Sequence, residues 1–329
     1  MSARNFTAGT VPGVAANITS ILQCTPALCS LEYATVLYVP TLAGNSLYLA
    51  LFALLLVIQA VQCFFFRTYS YTIAMICGLV LEIVGYLGRV QMHFDVFAGN
   101  PFLLYIICLT IGPVFFTAAL YLTLSRVITH YGTQYSRLQP KTYTLTFITS
   151  DVIALILQAV GGALADTAAT NAASLQGVHI MIAGLAFQVV SLLAFSLLAG
   201  EFFGKVYGDR ARRAGRADSK PSLRILGLAF AAATLFILIR SCFRVAELAH
   251  GFKGKLANEQ VTFMVLEGAM ISLATILMTA CHPGIWLKSV WSAEVWKFRG
   301  GKAPEAEKRP ALREGEWTAI EGGGSMEMK

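Results

Sequence analysis

The chain has 329 residues, of which 56% are hydrophobic and only 13% charged, against about 25% charged residues in a soluble globular domain. That balance excludes a water-soluble enzyme or binding module and implies an integral membrane protein. The formal net charge of +7 gives no reason to propose nucleic-acid binding, because the basic residues follow the apolar runs in the pattern that membrane topology dictates.

Residues 1–40 read as a polar, Thr-, Ala- and Gly-rich extracellular segment. It lacks the basic stretch and apolar core of a cleaved signal peptide, so the first span is expected to act as the insertion signal. Two sequons, Asn5-Phe-Thr7 and Asn17-Ile-Thr19, make Asn5 and Asn17 candidate glycosylation sites. Cys24 and Cys29 share that oxidising side, as a small disulfide loop or as two free thiols.

A membrane domain over 41–285 follows. Seven apolar runs, at about 42–66, 70–90, 102–127, 143–165, 178–200, 223–246 and 260–281, each approach the roughly 20 residues needed to cross about 30 Å of hydrocarbon. With the N-terminus outside, 19 of the 25 Lys and Arg residues fall on the cytoplasmic side, as the positive-inside rule requires. Much of that charge lies in the segment 205–220, a topology determinant and, on a sharper reading, an anionic-lipid contact. Beyond His282-Pro283-Gly284, Leu287, Trp291, Val295 and Phe298 recur at helical spacing, which predicts an interfacial helix over 286–299. Residues 300–329 are rich in Gly, Glu and Lys, and disorder is expected there. No repeat of 20–50 residues is evident, which weakens any argument for an inverted-repeat transporter.

Span two carries Glu82 and Arg89, seven residues apart on one helix face, with Gly85 and Tyr86 between them. Pro113, beside Gly112, predicts a kink or a gap in the hydrogen-bond ladder of span three. Span four carries Asp151 and Gln158, and span five Gln188. Arg240, Arg244 and Glu247 form a stripe on span six that ends at Gly251, and span seven contributes Glu267. Each charge costs about 2.5–3.5 kcal/mol near a membrane helix centre on insertion scales, so polar partners or a wet cavity must compensate. Glu82, Asp151, Glu247 and Glu267 nearly balance Arg89, Arg240 and Arg244. This favours an ion-paired interior, which either fixes helix packing alone or in part faces a substrate cavity. Gly85, Ala118, Gly161, Gly162 and Gly184 read as helix-packing contacts. His93, His130, His179, His250 and His282 are scattered singly, so neither a metal nor a cofactor is expected. Asp151 and His282, a formal acid and base, have no evident nucleophile, and an intramembrane enzyme is the weakest reading.

An ordered series runs through these residues: Cys24-x4-Cys29, Tyr38-x-Pro40, Asn45, Glu82-x-x-Gly85-Tyr86-x-x-Arg89, Pro113 with Ala118 and Tyr121, and Phe147-x3-Asp151-x6-Gln158-x-x-Gly161-Gly162. It continues with Gly177, Gly184 and Gln188, then Arg240-x3-Arg244-x-x-Glu247-x3-Gly251, Glu259 and His282-Pro283-Gly284. Over about residues 24–287 the series resembles the fungal lipid-translocating exporter family, the RTA-like proteins named for resistance to aminocholesterol. The resemblance implies a seven-span protein with an extracellular N-terminus, linked to export or transbilayer movement of sphingoid bases and to tolerance of toxic amphipaths. Some relatives are associated with porphyrin uptake. Thr41 stands where serine is usual, and Phe243 and Phe263 where tyrosine is expected.

The expectation is therefore an all-α bundle of seven transmembrane helices in a fungal plasma membrane, with its C-terminus cytoplasmic. It would bind and move an amphipathic lipid whose ammonium head Glu82, Asp151, Glu247 or Glu267 accepts. The candidate polar network comprises Glu82, Arg89, Asp151, Gln158, Gln188, Arg240, Arg244, Glu247 and Glu267. No Walker-type motif is present, so transport would be facilitated, ion-coupled or partner-dependent. A receptor-like regulator of lipid or stress response is the alternative.

Overall fold

A computed structural model describes residues 24, 28–31, 34, 36–168, 170–213, 221–249, 251, 254 and 256–286, all within the unit Met1–Ala293. Asn5, Asn17, the predicted interfacial helix beyond residue 286 and the predicted tail 300–329 lie outside the described residues.

Backbone N–H and C=O groups in hydrocarbon must be satisfied within the chain, so apolar runs of this length fold as helices. They do so as α1 (Leu42–Phe66), α2 (Tyr69–Phe94), α3 (Gly99–Tyr131), α4 (Pro140–Thr167), α5 (Asn171–Arg213) and α6 (Pro221–Ala249). A seventh span joins α7 (Gln260–Phe263), a π-helical turn (Met264–Ala269) and α8 (Met270–Ala280). Seven helices are long and apolar enough to cross a membrane, as the hydropathy pattern predicts. Several exceed the predicted runs because helical hydrogen bonding continues past the hydrocarbon. The 43 residues of α5 would measure about 65 Å at 1.5 Å per residue. Its last turns carry Glu201, paired with Lys205 at 2.7 Å and with Arg137 at 2.7 Å.

Consecutive helices pack side by side from α1 to α6, and α8 lies against both α6 and α1, which closes the ring; α3 also touches α5 and α6 and is the most enclosed span. Two residues join α1 to α2. Arg67 takes a left-handed conformation (φ 53°), and its N–H closes the helix on the Cys63 carbonyl at 2.9 Å. Between α4 and α5 the backbones nearly touch. A Cβ on Gly161 would stand 2.5 Å from the Met181 nitrogen and 2.7 Å from the Gly177 carbonyl oxygen, so no side chain fits there.

Around α1, the short links hold the bundle's N-terminal end, where α1, α3, α5 and the seventh span begin. Cys24 and Cys29 form a disulfide. The Leu37 N–H donates to Asn258 Oδ1 at 2.8 Å, and Gln260 donates to the Thr41 hydroxyl. At the opposite end, Gly284 N–H donates to His282 Nδ1 at 3.1 Å. That contact leaves the Nε2–H of His282 to donate to the Thr68 hydroxyl at 3.3 Å.

Candidate functional site

Pro113 has no N–H, so within α3 the carbonyl of Leu109, four residues earlier, lacks its helical donor. Arg240, on α6 and 1% exposed, fills that place: its Nη2 donates to the Leu109 carbonyl and also to Glu267 Oε1 at 2.6 Å. One guanidinium therefore ties three spans together. Glu267 stands in the π-helical turn, whose wider i→i+5 geometry leaves backbone groups to be satisfied from outside. Tyr48 of α1 meets that need by donating to the Met264 carbonyl at 2.8 Å. Gly268 follows Glu267 and admits two rings: a Cβ there would lie 2.5 Å from Tyr48 Cε2 and 2.8 Å from the Tyr86 hydroxyl oxygen.

One turn further along α6, Arg244 Nη1 pairs with Glu247 Oε2 at 2.6 Å, three residues on, while its Nη2 donates to Thr110 Oγ1 at 3.1 Å. Glu82 lies in the same region: its Oε1 is 2.9 Å from where a Cβ on Gly112 of α3 would stand, and the charges acting on it are Arg240, Glu267 and Arg244. It is 2% exposed, joins no ion pair among the described residues, and its Oε1 makes no hydrogen bond. The Tyr86 hydroxyl and Glu267 Oε2 are likewise buried without a hydrogen bond. Glu82 and Tyr86 sit one turn apart on α2, and Tyr86 touches the position after Glu267. Arg240 Nε, a donor, also makes no hydrogen bond, so four polar atoms of this cluster lack partners, three of them able to accept, and in it three carboxylates face two guanidiniums.

Arg89 has a different solution. Its Nε donates to Asn45 Oδ1 at 3.0 Å and its Nη2 to the Tyr38 hydroxyl at 2.8 Å. The guanidinium stands 3.8 Å from the Phe263 ring centroid and 5.1 Å from that of Tyr105. A delocalised cation against aromatic faces is held without a carboxylate. Phe263, where tyrosine is expected, supplies the nearer face.

The remaining candidates stand apart. Asp151 on α4 faces α3, where Thr117 and Tyr121 hydroxyls lie 2.9 Å and 3.0 Å from its Oδ2. Gln158 donates to Gln188 at 3.1 Å between α4 and α5. The nine predicted residues therefore divide into a charged cluster (Glu82, Arg240, Arg244, Glu247, Glu267), the Arg89 cage, the Asp151 contact and the glutamine pair. Asp151 and His282 hold separate partners and share no contact. Reasoning from charge alone passes over Leu109, Thr110, Tyr86 and Tyr105. Two of them had a legible signal: Tyr86 in the ordered series Glu82-x-x-Gly85-Tyr86-x-x-Arg89, and Leu109 in its place four residues before Pro113.

The sequence model of the family described as "RTA1 like protein" matches residues 75–289. The chain is 36% identical over 283 residues to "Sphingoid long-chain base transporter RSB1" of Saccharomyces cerevisiae, covering 76% of this chain and 73% of that protein. It is 27% identical over 268 residues to "Probable lipid transporter atnI" of Emericella nidulans, covering 75% and 67%. "Protein RTA1" of Saccharomyces cerevisiae is 26% identical over 241 residues, covering 71% and 74%. No solved structure gives a significant match. The chain belongs to the RTA1-like family.

Proposed function

We propose that this family member binds a single-chain amphipath with a primary ammonium head, of the sphingoid-base class, and carries it across the bilayer. The observation that supports this reading is Glu82, a buried carboxylate in no direct ion pair among the described residues, in a cluster where carboxylates outnumber guanidiniums by three to two. An unpaired charge in such a place is costly, and a ligand cation would remove the cost. A primary ammonium has three N–H donors, and Glu82 Oε1, Tyr86 Oη and Glu267 Oε2 are three acceptors without partners. The names of two relatives, a sphingoid long-chain base transporter and a probable lipid transporter, agree with a lipid substrate. The plasma membrane is the proposed location, with the N-terminus outside.

Reconstitution into liposomes tests the proposal. Folded protein should move labelled sphingoid base faster than protein-free vesicles, and Glu82→Gln should abolish most of that movement. Movement no faster than in empty vesicles would overturn the transport reading. Binding without movement would favour a receptor-like role, and chemical conversion of the lipid, read by mass spectrometry, would identify an enzyme.

A further inference from the structure

A second feature begins at the end of the bundle away from the charged cluster, at Arg224, and does not depend on the ammonium proposal. Between α5 and α6 a groove of about 710 Å³ opens sideways, within the range of about 300–1,000 Å³ typical of ligand pockets. From Arg224 to Leu238 along α6 it would run about 21 Å at 1.5 Å per residue, more than half of the about 30 Å of bilayer hydrocarbon. Its floor includes Phe203 and Phe230, with ring centroids 5.7 Å apart. Gly200 and Gly204 keep it open, since nothing lies within 4 Å of where a Cβ on either would stand. Two hydroxyls in the lining turn away: Ser196 donates to the Leu192 carbonyl at 2.7 Å, and Thr234 to the Phe230 carbonyl at 2.8 Å. Apart from the Tyr207 hydroxyl, which lies against Gly227, the wall is hydrocarbon up to the Arg224 end.

Charge enters only at one end, where Arg224 is exposed and is the sole ionised residue of the lining. It lies in the first turn of α6, which starts at Pro221, and the first-turn N–H groups of a helix lack intrahelical acceptors and favour an anion. Six basic residues fall between positions 210 and 224, against one acid, Asp218. An ammonium would be repelled at this end, and a phosphate would be attracted. We infer that the groove holds one hydrocarbon chain of a phosphate-bearing lipid, with the phosphate at Arg224 and the start of α6.

The test uses the purified full-length chain in maltoside micelles, titrated with lysophosphatidic acid, lysophosphatidylcholine and sphingosine, with bound lipid counted by native mass spectrometry. Lysophosphatidic acid should bind about tenfold or more tighter than either competitor, the scale of a hydrogen bond to a charged group. Arg224→Gln should erase most of that preference while leaving lysophosphatidylcholine binding nearly unchanged. Gly204→Leu fills the groove from a position with free space around it, so folding should survive and both phospholipids should weaken about tenfold. Gly208→Leu, equally unobstructed but outside the lining, should leave binding unaltered. Equal binding of all three lipids, undiminished binding in Gly204→Leu at an unchanged melting temperature, or a shift from dimer to monomer in that variant would each overturn the inference. The last result would mean that a second copy covers the groove.

Discussion

A buried guanidinium and a buried carboxylate fail differently when each loses its partner, and the cluster offers both cases. Arg240→Met would strand Glu267 and the Leu109 carbonyl at 1–2% exposure. Removing one partner of a buried pair costs about 3–5 kcal/mol, whereas replacing both with apolar residues is often neutral. Thermal unfolding in detergent should therefore show a large loss for Arg240→Met, and most of it should return in Arg240→Met combined with Glu267→Leu. Additive losses in the double variant would mean that the pair is not the unit holding the spans. Glu82→Gln should behave oppositely, because Glu82 makes no direct ion pair among the described residues: its melting temperature should stay level or rise while sphingoid-base binding falls. A melting temperature that drops as far as that of Arg240→Met would make Glu82 a structural member of the cluster. Sequence spacing identified these side chains but not their partners. Glu82 and Arg89 share a face, yet two helical turns put them about 10.5 Å apart along the axis, and the choice of partner then depended on how neighbouring helices rotate. The Arg244–Glu247 pair was legible because three residues of helix fix it locally.

At the level of the helix, Pro113 is a break that another helix uses. Replacing an interior helix proline with alanine ordinarily recovers about 3 kcal/mol. Here Pro113→Ala would return an N–H to the Leu109 carbonyl and displace Arg240 from it, weakening the Glu267 contact as well. We expect no gain in melting temperature from this variant; a rise of several degrees would show that Arg240 contributes little through Leu109. The small residues of α4 and α5 make a second contrast. Gly161→Leu would drive a side chain into the backbone of α5 and should abolish folded yield in size-exclusion profiles, whereas Gly200→Leu on the open side of α5 should not. The seven apolar runs and the role of Gly161 were readable because hydropathy and small-residue spacing are local properties. The π-helical turn at Met264–Ala269 was not, since the hydroxyl that bonds its first carbonyl belongs to Tyr48, more than two hundred residues away in sequence.

Across the whole molecule, two independent observations bear on orientation. Arg67, Arg126, Arg137, Lys141, Lys205 and Arg224 all belong to the end of the bundle opposite the N-terminal segment. Lys and Arg near span ends are retained in the cytoplasm. The Cys24–Cys29 disulfide belongs to the other end, and disulfides persist in oxidising compartments. Charge and redox chemistry therefore both support the arrangement proposed above, with the N-terminus outside. In intact cells an epitope at the N-terminus should be reached by antibody and one at the C-terminus should not. Asn5 and Asn17, if on that side, would make the protein shift in mobility after glycosidase treatment. A C-terminal epitope reached in unpermeabilised cells would reverse the arrangement. It would also put the Arg224 end of the lateral groove in the outer leaflet, away from the anionic lipids that the cytoplasmic leaflet supplies.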